Sequence, residues 1–271
     1  MLPPSPLPRS TSNAVRPAVH MVARTDTGLQ RSNNEDAVAI HPDARPWPVA
    51  VLADGMGGYS AGEIASAMAV KLVPAALQDA PAAPAHLETA LRDALQLTNA
   101  AIFSAASSTP GCRGMATTVV AAAVLPEEVV FAHLGDSRAY GWRQGALTRI
   151  THDHSLVQRE IDAGHIREQD ARSSGLSHLV TRALGVGHEV EPDISRWPLQ
   201  AGDRIMLCSD GVTDMLSDEE IGKLFAEQAP LPILLTALVQ AANAAGGKDN
   251  IGVILMETTA VEAGPDSLTA P

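Results

Sequence analysis

Ten short runs rich in Val, Ile and Ala constrain this chain more than any other feature. They lie at residues 20–25, 36–41, 48–53, 116–125, 128–134, 137–142, 147–150, 194–198, 204–209 and 251–257. Their length and β-branched content mark them as strands. Several are joined by turns as short as Leu125-Pro126-Glu127 and Arg143-Gln144-Gly145, which antiparallel neighbours can use and βαβ crossovers cannot.

Helical spacing appears in two separate blocks. The first covers 60–80 and 86–106, where Leu87, Leu91, Leu95, Thr98 and Ile102 recur every three or four residues; Ser60 and Glu63 form a capping box at its start. The second covers 217–228, opened by Ser217 and Glu220, and 230–245, closed by Gly246-Gly247. A more polar helical stretch at 154–171, broken at Gly164, is an excursion from the core. Strands and helix pairs segregated in this way predict an α+β domain with helices packed outside antiparallel sheets.

Apolar residues make up 45% of the chain but aromatics only 3%, so Ala, Val, Leu and Ile must fill the interior. Residues 1–19, rich in Pro and Ser, and residues 259–271, without periodicity, read as flexible tails around one domain at 20–258. The net charge of −12 with no basic stripe argues against nucleic acid as a partner. Cys112 and Cys208 stand alone, which excludes a disulfide framework and a zinc site. Prolines occupy the N-terminus where a signal peptide would be apolar, and no apolar run reaches the roughly 18 residues of a membrane span. A soluble, cytoplasmic, monomeric protein with no membrane contact is the expectation.

One chemical pattern recurs. An apolar run leads to Asp and then Gly or Ser at Asp54-Gly55, Asp136-Ser137 and Asp210-Gly211, and each acid is expected to end a strand. Asp249 just before the run 251–257, and Glu35-Asp36 at the start of 36–41, are the mirror case. Any one Asp-Gly is ordinarily a β-turn. Together, five Asp and one Glu at strand ends can gather at one edge of antiparallel sheets, where they repel unless a cation neutralises them. Oxygen-only ligation selects a hard ion, Mg²⁺ or Mn²⁺, and so many acids suit two ions sharing a bridging Asp. Gly55, Gly57 and Gly58 would let backbone approach an ion and present a carbonyl. Arg31, four residues before Glu35, could grip phosphate oxygens with its planar fork; alone it would read as a surface salt bridge.

These residues carry a resemblance. Thr25-Asp26-Thr27-Gly28 through Arg31-Ser-Asn-Asn-Glu35-Asp36, Asp54-Gly-Met-Gly-Gly58, Gly135-Asp136-Ser137-Arg138, Thr151-His-Asp-His-Ser155, Thr181-Arg-Ala-Leu-Gly185, Cys208-Ser-Asp210-Gly211-Val-Thr-Asp214 and Lys248-Asp249-Asn250 agree in order and spacing across 20–257. The chain resembles the metal-dependent type 2C protein phosphatases of the bacterial branch. That resemblance implies a four-layer αββα sandwich, two antiparallel sheets flanked by helix pairs. It implies a first Mn²⁺ or Mg²⁺ on Asp54, Asp210 and Asp249, and a second on Asp54 and the Gly55 carbonyl. Asp36 and Glu35 would act through water, and a third, weaker ion would sit between Asp136 and Asp210. Arg31 would bind substrate phosphate, so Arg31, Asp36 and Asp54 form the implied catalytic set, beside a flap at 155–180. The implied reaction is hydrolysis of phosphoserine and phosphothreonine in proteins by a metal-bridging hydroxide, opposing a cognate Ser/Thr kinase.

The chain departs from the family at Met56, where eukaryotic relatives carry His, at Tyr59 and at Ala116. Other chemistries find less support. Neither cysteine begins a Cys-x5-Arg loop, and Gly246-Gly247-Lys248 lacks the Walker A spacing. Three rival readings remain open at this stage: a GDSL-like esterase using Ser137, Asp162 and His165, an HD-type hydrolase using His152, Asp153 and His154, and a degenerate phosphatase that only binds phosphoproteins. Outside those rivals, His133 reads as a core or edge side chain, and His154 as a residue that caps or packs the helix beginning there.

Overall fold

Both faces of most strands are covered, which is why their sequences run as nearly unbroken apolar stretches instead of alternating. The computed structural model describes residues 18–57, 61–176 and 179–259. Gly58, Tyr59 and the expected cap Ser60 lie outside these, as do the two expected tails except for residues 18, 19 and 259.

In chain order the elements are β1 (Ala18–Asp26), β2 (Asp36–His41), β3 (Val49–Met56), α1 (Ala61–Gln78), α2 (Leu87–Ser108), β4 (Ala116–Thr117), β5 (Val119–Val124), β6 (Glu128–Leu134), β7 (Arg138–Arg143), β8 (Ala146–Arg149), α3 (Leu156–Asp162), β9 (Asp193–Pro198), β10 (Arg204–Cys208), α4 (Asp210–Thr213), α5 (Asp218–Ala226), α6 (Leu231–Ala244) and β11 (Ile251–Thr259). One sheet runs β1-β11-β10-β7-β8; the other runs β2-β3-β5-β6-β9, with β4 attached to β3. Every pairing between these strands is antiparallel. The α+β architecture with two antiparallel sheets and flanking helices is therefore observed.

The period of two divides each central strand between two cores. Val49, Val51 and Ala53 of β3, with Ala121 and Ala123 of β5, face α1 and α2 through Ala65, Ala69, Leu91 and Leu95. The intervening Ala50, Leu52, Val120 and Ala122 meet Phe131, Ile205, Leu207 and Ile254 between the sheets. On the opposite side, Met206, Cys208, Val253 and Leu255 carry α5 and α6 through Ile221, Phe225, Leu234 and Leu238. Fully burying each Leu or Phe stabilises the sandwich by about 1.5–3 kcal/mol. Small alanines on the strands let long aliphatic side chains interlock despite the scarcity of aromatics.

The expected cap of α5 is present: Glu220 N–H donates to Ser217 Oγ at 3.2 Å and Ser217 N–H to Glu220 Oε2 at 2.8 Å. Three local readings need correction. The expected run 116–125 breaks at Thr118, whose backbone N–H turns to the Asp54 carbonyl at 2.9 Å. Neither Asp136 nor Asp210 ends a strand, because β6 stops at Leu134 and leaves Asp136 in the turn to β7, while β10 stops at Cys208 and Asp210 opens α4. Residues 18 and 19 belong to β1 and residue 259 to β11, paired Ala18↔Thr259 and Val19↔Thr258, so these three are strand residues and not tail.

Candidate metal centre

The sheets bring the acids together at one end. In the β2–β3 register Asp36 lies directly opposite Asp54, which places two carboxylates at adjoining strand positions. Asp54 lies inside β3 rather than at its end, and its backbone is tied down: its N–H donates to Thr118 Oγ1 at 3.1 Å, and Thr117 Oγ1 donates to its carbonyl at 2.9 Å. Ser209 Oγ donates to Asp36 Oδ2 at 2.7 Å, while Asp36 Oδ1 is buried with no partner. Asp210 Oδ1 is likewise buried and unpartnered. Neither atom could remain so without a cation or proton.

Close backbone approaches hold the cluster. A Cβ on Gly55 would lie 2.1 Å from the Gly62 carbonyl oxygen, and one on Gly211 would lie 1.9 Å from that of Asn250. No side chain fits at either place, so Asp54-Gly55 packs onto α1, and the start of α4 onto the turn carrying Asp249. Asn250 completes the joint: its Oδ1 accepts from Glu35 N–H at 2.8 Å, and its Nδ2 donates to the carbonyls of Thr27 and Asn33.

The electrostatics match this crowding. Burial first, then the charges of Asp36, Asp210, Asp136 and Asp249, push Asp54 well above the usual carboxylate range. Burial and the charges of Asp136, Asp214, Asp249 and Asp36 do the same to Asp210. Burial raises Asp36 to about 7, against the opposing Ser209 hydrogen bond. Asp136 also rises to about 7, by burial and then by the charge of Asp153. Glu35 is raised by burial. Acidic oxygens alone, two of them buried without a partner, fit hard divalent ions and give zinc no soft ligand.

Glu35, Asp54, Asp136, Asp210 and Asp249 line a cleft of about 790 Å³ with Met56, Gly57, Leu179, Val180, Met215 and Lys248, whereas Asp36 is not part of its lining. A second cavity of about 520 Å³ adjoins it under the segment 155–176 and shares Asp136, Asp210 and Asp214 as a wall. Arg31 NH2 donates to Asp249 Oδ2 at 2.7 Å, so the guanidinium already stands at the cleft and touches one of the acids.

The rival sites do not assemble. Ser137 Oγ is buried against Thr118 Oγ1 at 2.7 Å, Asp162 bonds His152 and Gln158, and His165 bonds Glu160. None of these hydrogen bonds joins two members of the esterase set. The HD-type set is equally divided, since His152 faces Asp162, Asp153 faces Arg138, and His154 Nδ1 accepts from Gly135 N–H. Nor does His154 cap the following helix, a task performed by Ser155. His133 is buried as expected, but only its Nε2 finds a partner, the His152 carbonyl.

A family profile described as protein phosphatase 2C matches residues 29–255. The chain belongs to the protein phosphatase 2C family. It is 37% identical over 251 residues to "Serine/threonine phosphatase stp" of Listeria monocytogenes, covering 92% of this chain and 100% of that relative. A structure of the S. agalactiae serine/threonine phosphatase superposes with a TM-score of 0.83 at 33% identity, covering 88% of this chain and 99% of that one. The catalytic domain of the serine/threonine protein phosphatase PstP, crystallised in complex with two manganese ions, superposes with a TM-score of 0.79 at 36% identity, over 89% and 99% of the two chains. This protein phosphatase 2C member thus has the fold and the metal-dependent enzyme class that its motifs implied.

Sequence reasoning gave no role to Thr118, Ser209 or Asp214, although the last two stand in the quoted stretch 208–214. Thr118 and Ser209 hold acids through side-chain oxygens, and their partners are 64 and 173 residues away, beyond any local pattern. Asp214 alone had a signal, standing one turn after Asp210 on the same wall.

Proposed function

We propose that this serine/threonine protein phosphatase hydrolyses phosphoserine and phosphothreonine in proteins at the acidic cleft. Asp54, the Gly55 carbonyl, Asp210 and Asp249 would hold two tightly bound Mn²⁺ or Mg²⁺ ions, with Asp36 and Glu35 acting through water and Asp136 helping Asp210 to hold a weaker third. The observation that carries this reading is the pair of buried, unpartnered oxygens, Asp36 Oδ1 and Asp210 Oδ1, beside Asp54. When bound, the ions supply charge that offsets the carboxylates, acidifies water and orients phosphoryl oxygens for in-line displacement. The side chains do the rest. Asp54, anchored by Thr117 and Thr118, fixes the spacing of the centre. Arg31 has five N–H donors, of which the Asp249 bond uses one, so the fork can still grip a phosphate. The apolar rim of Met56, Leu179 and Met215 would meet the peptide on either side of the phosphorylated residue.

Phosphoprotein substrates follow from the enzyme class. A cognate Ser/Thr kinase, a monomeric state, cytoplasmic placement and a single domain covering 20–258 together with the paired residues 18, 19 and 259, with the flap at 155–180, belong to the same proposal. No helix among the described residues is long and apolar enough to cross a membrane.

The purified protein is expected to release phosphate from phosphothreonine peptides only with Mn²⁺ or Mg²⁺ present. Turnover that persists in EDTA would remove the basis for the proposal. Arg31→Ala is expected to raise KM for a phosphopeptide roughly tenfold, with Arg31→Lys restoring part of it, because only the guanidinium offers two parallel donors. Calorimetry should find metal binding undiminished, since Arg31 now occupies an oxygen that a metal would use. Weaker metal binding with unchanged KM would make Arg31 a mere neighbour of Asp249.

A further inference from the structure

We propose that His154 is a positioning residue, whose ring holds the Gly135 peptide and thereby aims Asp136 into the cleft. The inference rests on the role given above to Asp136. Gly135 N–H donates to His154 Nδ1 at 3.2 Å, and His154 N–H donates back to the Gly135 carbonyl at 2.9 Å. This clamp seizes both polar groups of one residue. Gly135 has φ +105°, and a Cβ there would lie 2.6 Å from Thr118 Cβ, so its backbone is wedged between His154 and the threonine that holds Asp54.

The ring can serve only in one tautomer. A peptide N–H is always a donor, so Nδ1 must be bare and Nε2 must carry the proton. Nε2 faces Asp193 Oδ2 at 3.2 Å, at the first residue of β9. Arg182 NH1, 3.3 Å from the same nitrogen, makes its shorter bond to Asp193 Oδ1 at 2.9 Å. Burial holds His154 below the ordinary histidine range, which keeps the ring neutral and its acceptor available. The neighbouring His133 ring stacks on it with centroids 4.7 Å apart and planes 11° from parallel. Although donor atoms of His133, His154 and Asp193 come within 4.8 Å of one another, near-parallel rings cannot converge on one ion, and His154 Nδ1 is already engaged.

The placement gives the clamp its meaning. Thr181 N–H donates to the His154 carbonyl at 2.7 Å, Leu156 N–H to that of Leu179 at 2.8 Å, and Ser155 bridges Val180. Both ends of the segment 155–180 therefore meet at His154, so one residue joins the root of that segment to the Asp136 peptide.

The test compares His154→Asn, His154→Gln and His154→Ala in the full chain. Asn sets its carboxamide oxygen near the position of Nδ1 and can still accept from Gly135; Gln reaches the position of Nε2 and cannot; Ala does neither. All three lose the stack on His133, so a packing role would lower them together. The readouts are hydrogen exchange of the Gly135 and Asp136 amides, and kcat and KM on a phosphothreonine peptide with Mn²⁺. His154→Gln and His154→Ala are expected to exchange there roughly tenfold faster. They should also lose roughly tenfold in kcat with KM within about twofold, while His154→Asn stays near the parent. Equal losses in Asn and Gln, or parental exchange in Gln, would overturn the proposal. Should His154→Ala fail to fold, the Asn and Gln pair decides alone. Should Asp136→Ala leave phosphopeptide turnover intact, it is the reading of Asp136 that fails, and the exchange rates still decide for or against His154.

Discussion

Asp54→Asn should yield a protein that is nearly inert yet more resistant to heat when stripped of metal. The loss in kcat is expected to be roughly three orders of magnitude, about 4 kcal/mol of transition-state stabilisation, because the acid proposed to serve both ions is gone. The gain in stability follows from the same crowding. Asp54 sits half-buried, its carboxyl pushed up by desolvation and by the charges of Asp36, Asp210, Asp136 and Asp249, and removing it relieves repulsion that a cation or a proton otherwise offsets. The metal-free parent should also show this strain as a pH dependence. Asp36 and Asp136 titrate near 7 in the folded chain, against an unfolded value of about 4. Groups raised in this direction contribute stability that is complete below the unfolded value and lost as pH rises through 7. Melting in EDTA should thus occur at a lower temperature at pH 8 than at pH 6, and saturating Mn²⁺ should flatten or reverse that slope. An Asp54→Asn variant that keeps parental kcat, or melts below the parent in EDTA, would contradict the assignment.

Asp136→Ala should separate two substrates that an ordinary loss of folding would not. Asp136 lines both the main cleft and the adjoining cavity, on a wall shared with Asp210 and Asp214. Holding a weaker cation and its water there would assist departure of the leaving oxygen. A Ser or Thr alkoxide is a poor leaving group and needs a proton; nitrophenolate does not. The variant should retain much of its turnover of p-nitrophenyl phosphate while losing most of its turnover of phosphothreonine peptides. Two tight ions should remain by calorimetry. Equal loss on both substrates would mean that Asp136 supports only the fold or the main pair.

The strands and the acids were legible for different reasons. A run such as Val49–Met56 declares itself because both faces are buried, which leaves no polar residue before Asp54. The acids declared themselves through repetition, each alone being an ordinary turn residue. What the sequence did not disclose was whatever depends on a distant partner. The break at Thr118 exists because its backbone and hydroxyl turn toward Asp54. The helical turn at Asp210 exists because Gly211 fits against Asn250. His154 looked like a helix cap since it adjoins a helix start, yet Gly135, nineteen positions earlier in the chain, claims its ring. Local spacing identifies candidates, and the sheet register decides what they touch.

The pairing of β1 with β11 bears on what could be attached to this enzyme. Ala18 stands opposite Thr259 at one end of the ladder and Asp26 opposite Ile251 at the other, beside Asp249 and Asn250. Across the nine residues of β1, eight rises of about 3.3 Å set these ends roughly 26 Å apart. The start of β1 and the end of β11 therefore share one corner of the described fold, at the end of this ladder remote from Asp249. The two outermost pairs of this ladder thus stand at the opposite end of the strands from the acids, and a label on β1 near residue 20 would leave the cleft open.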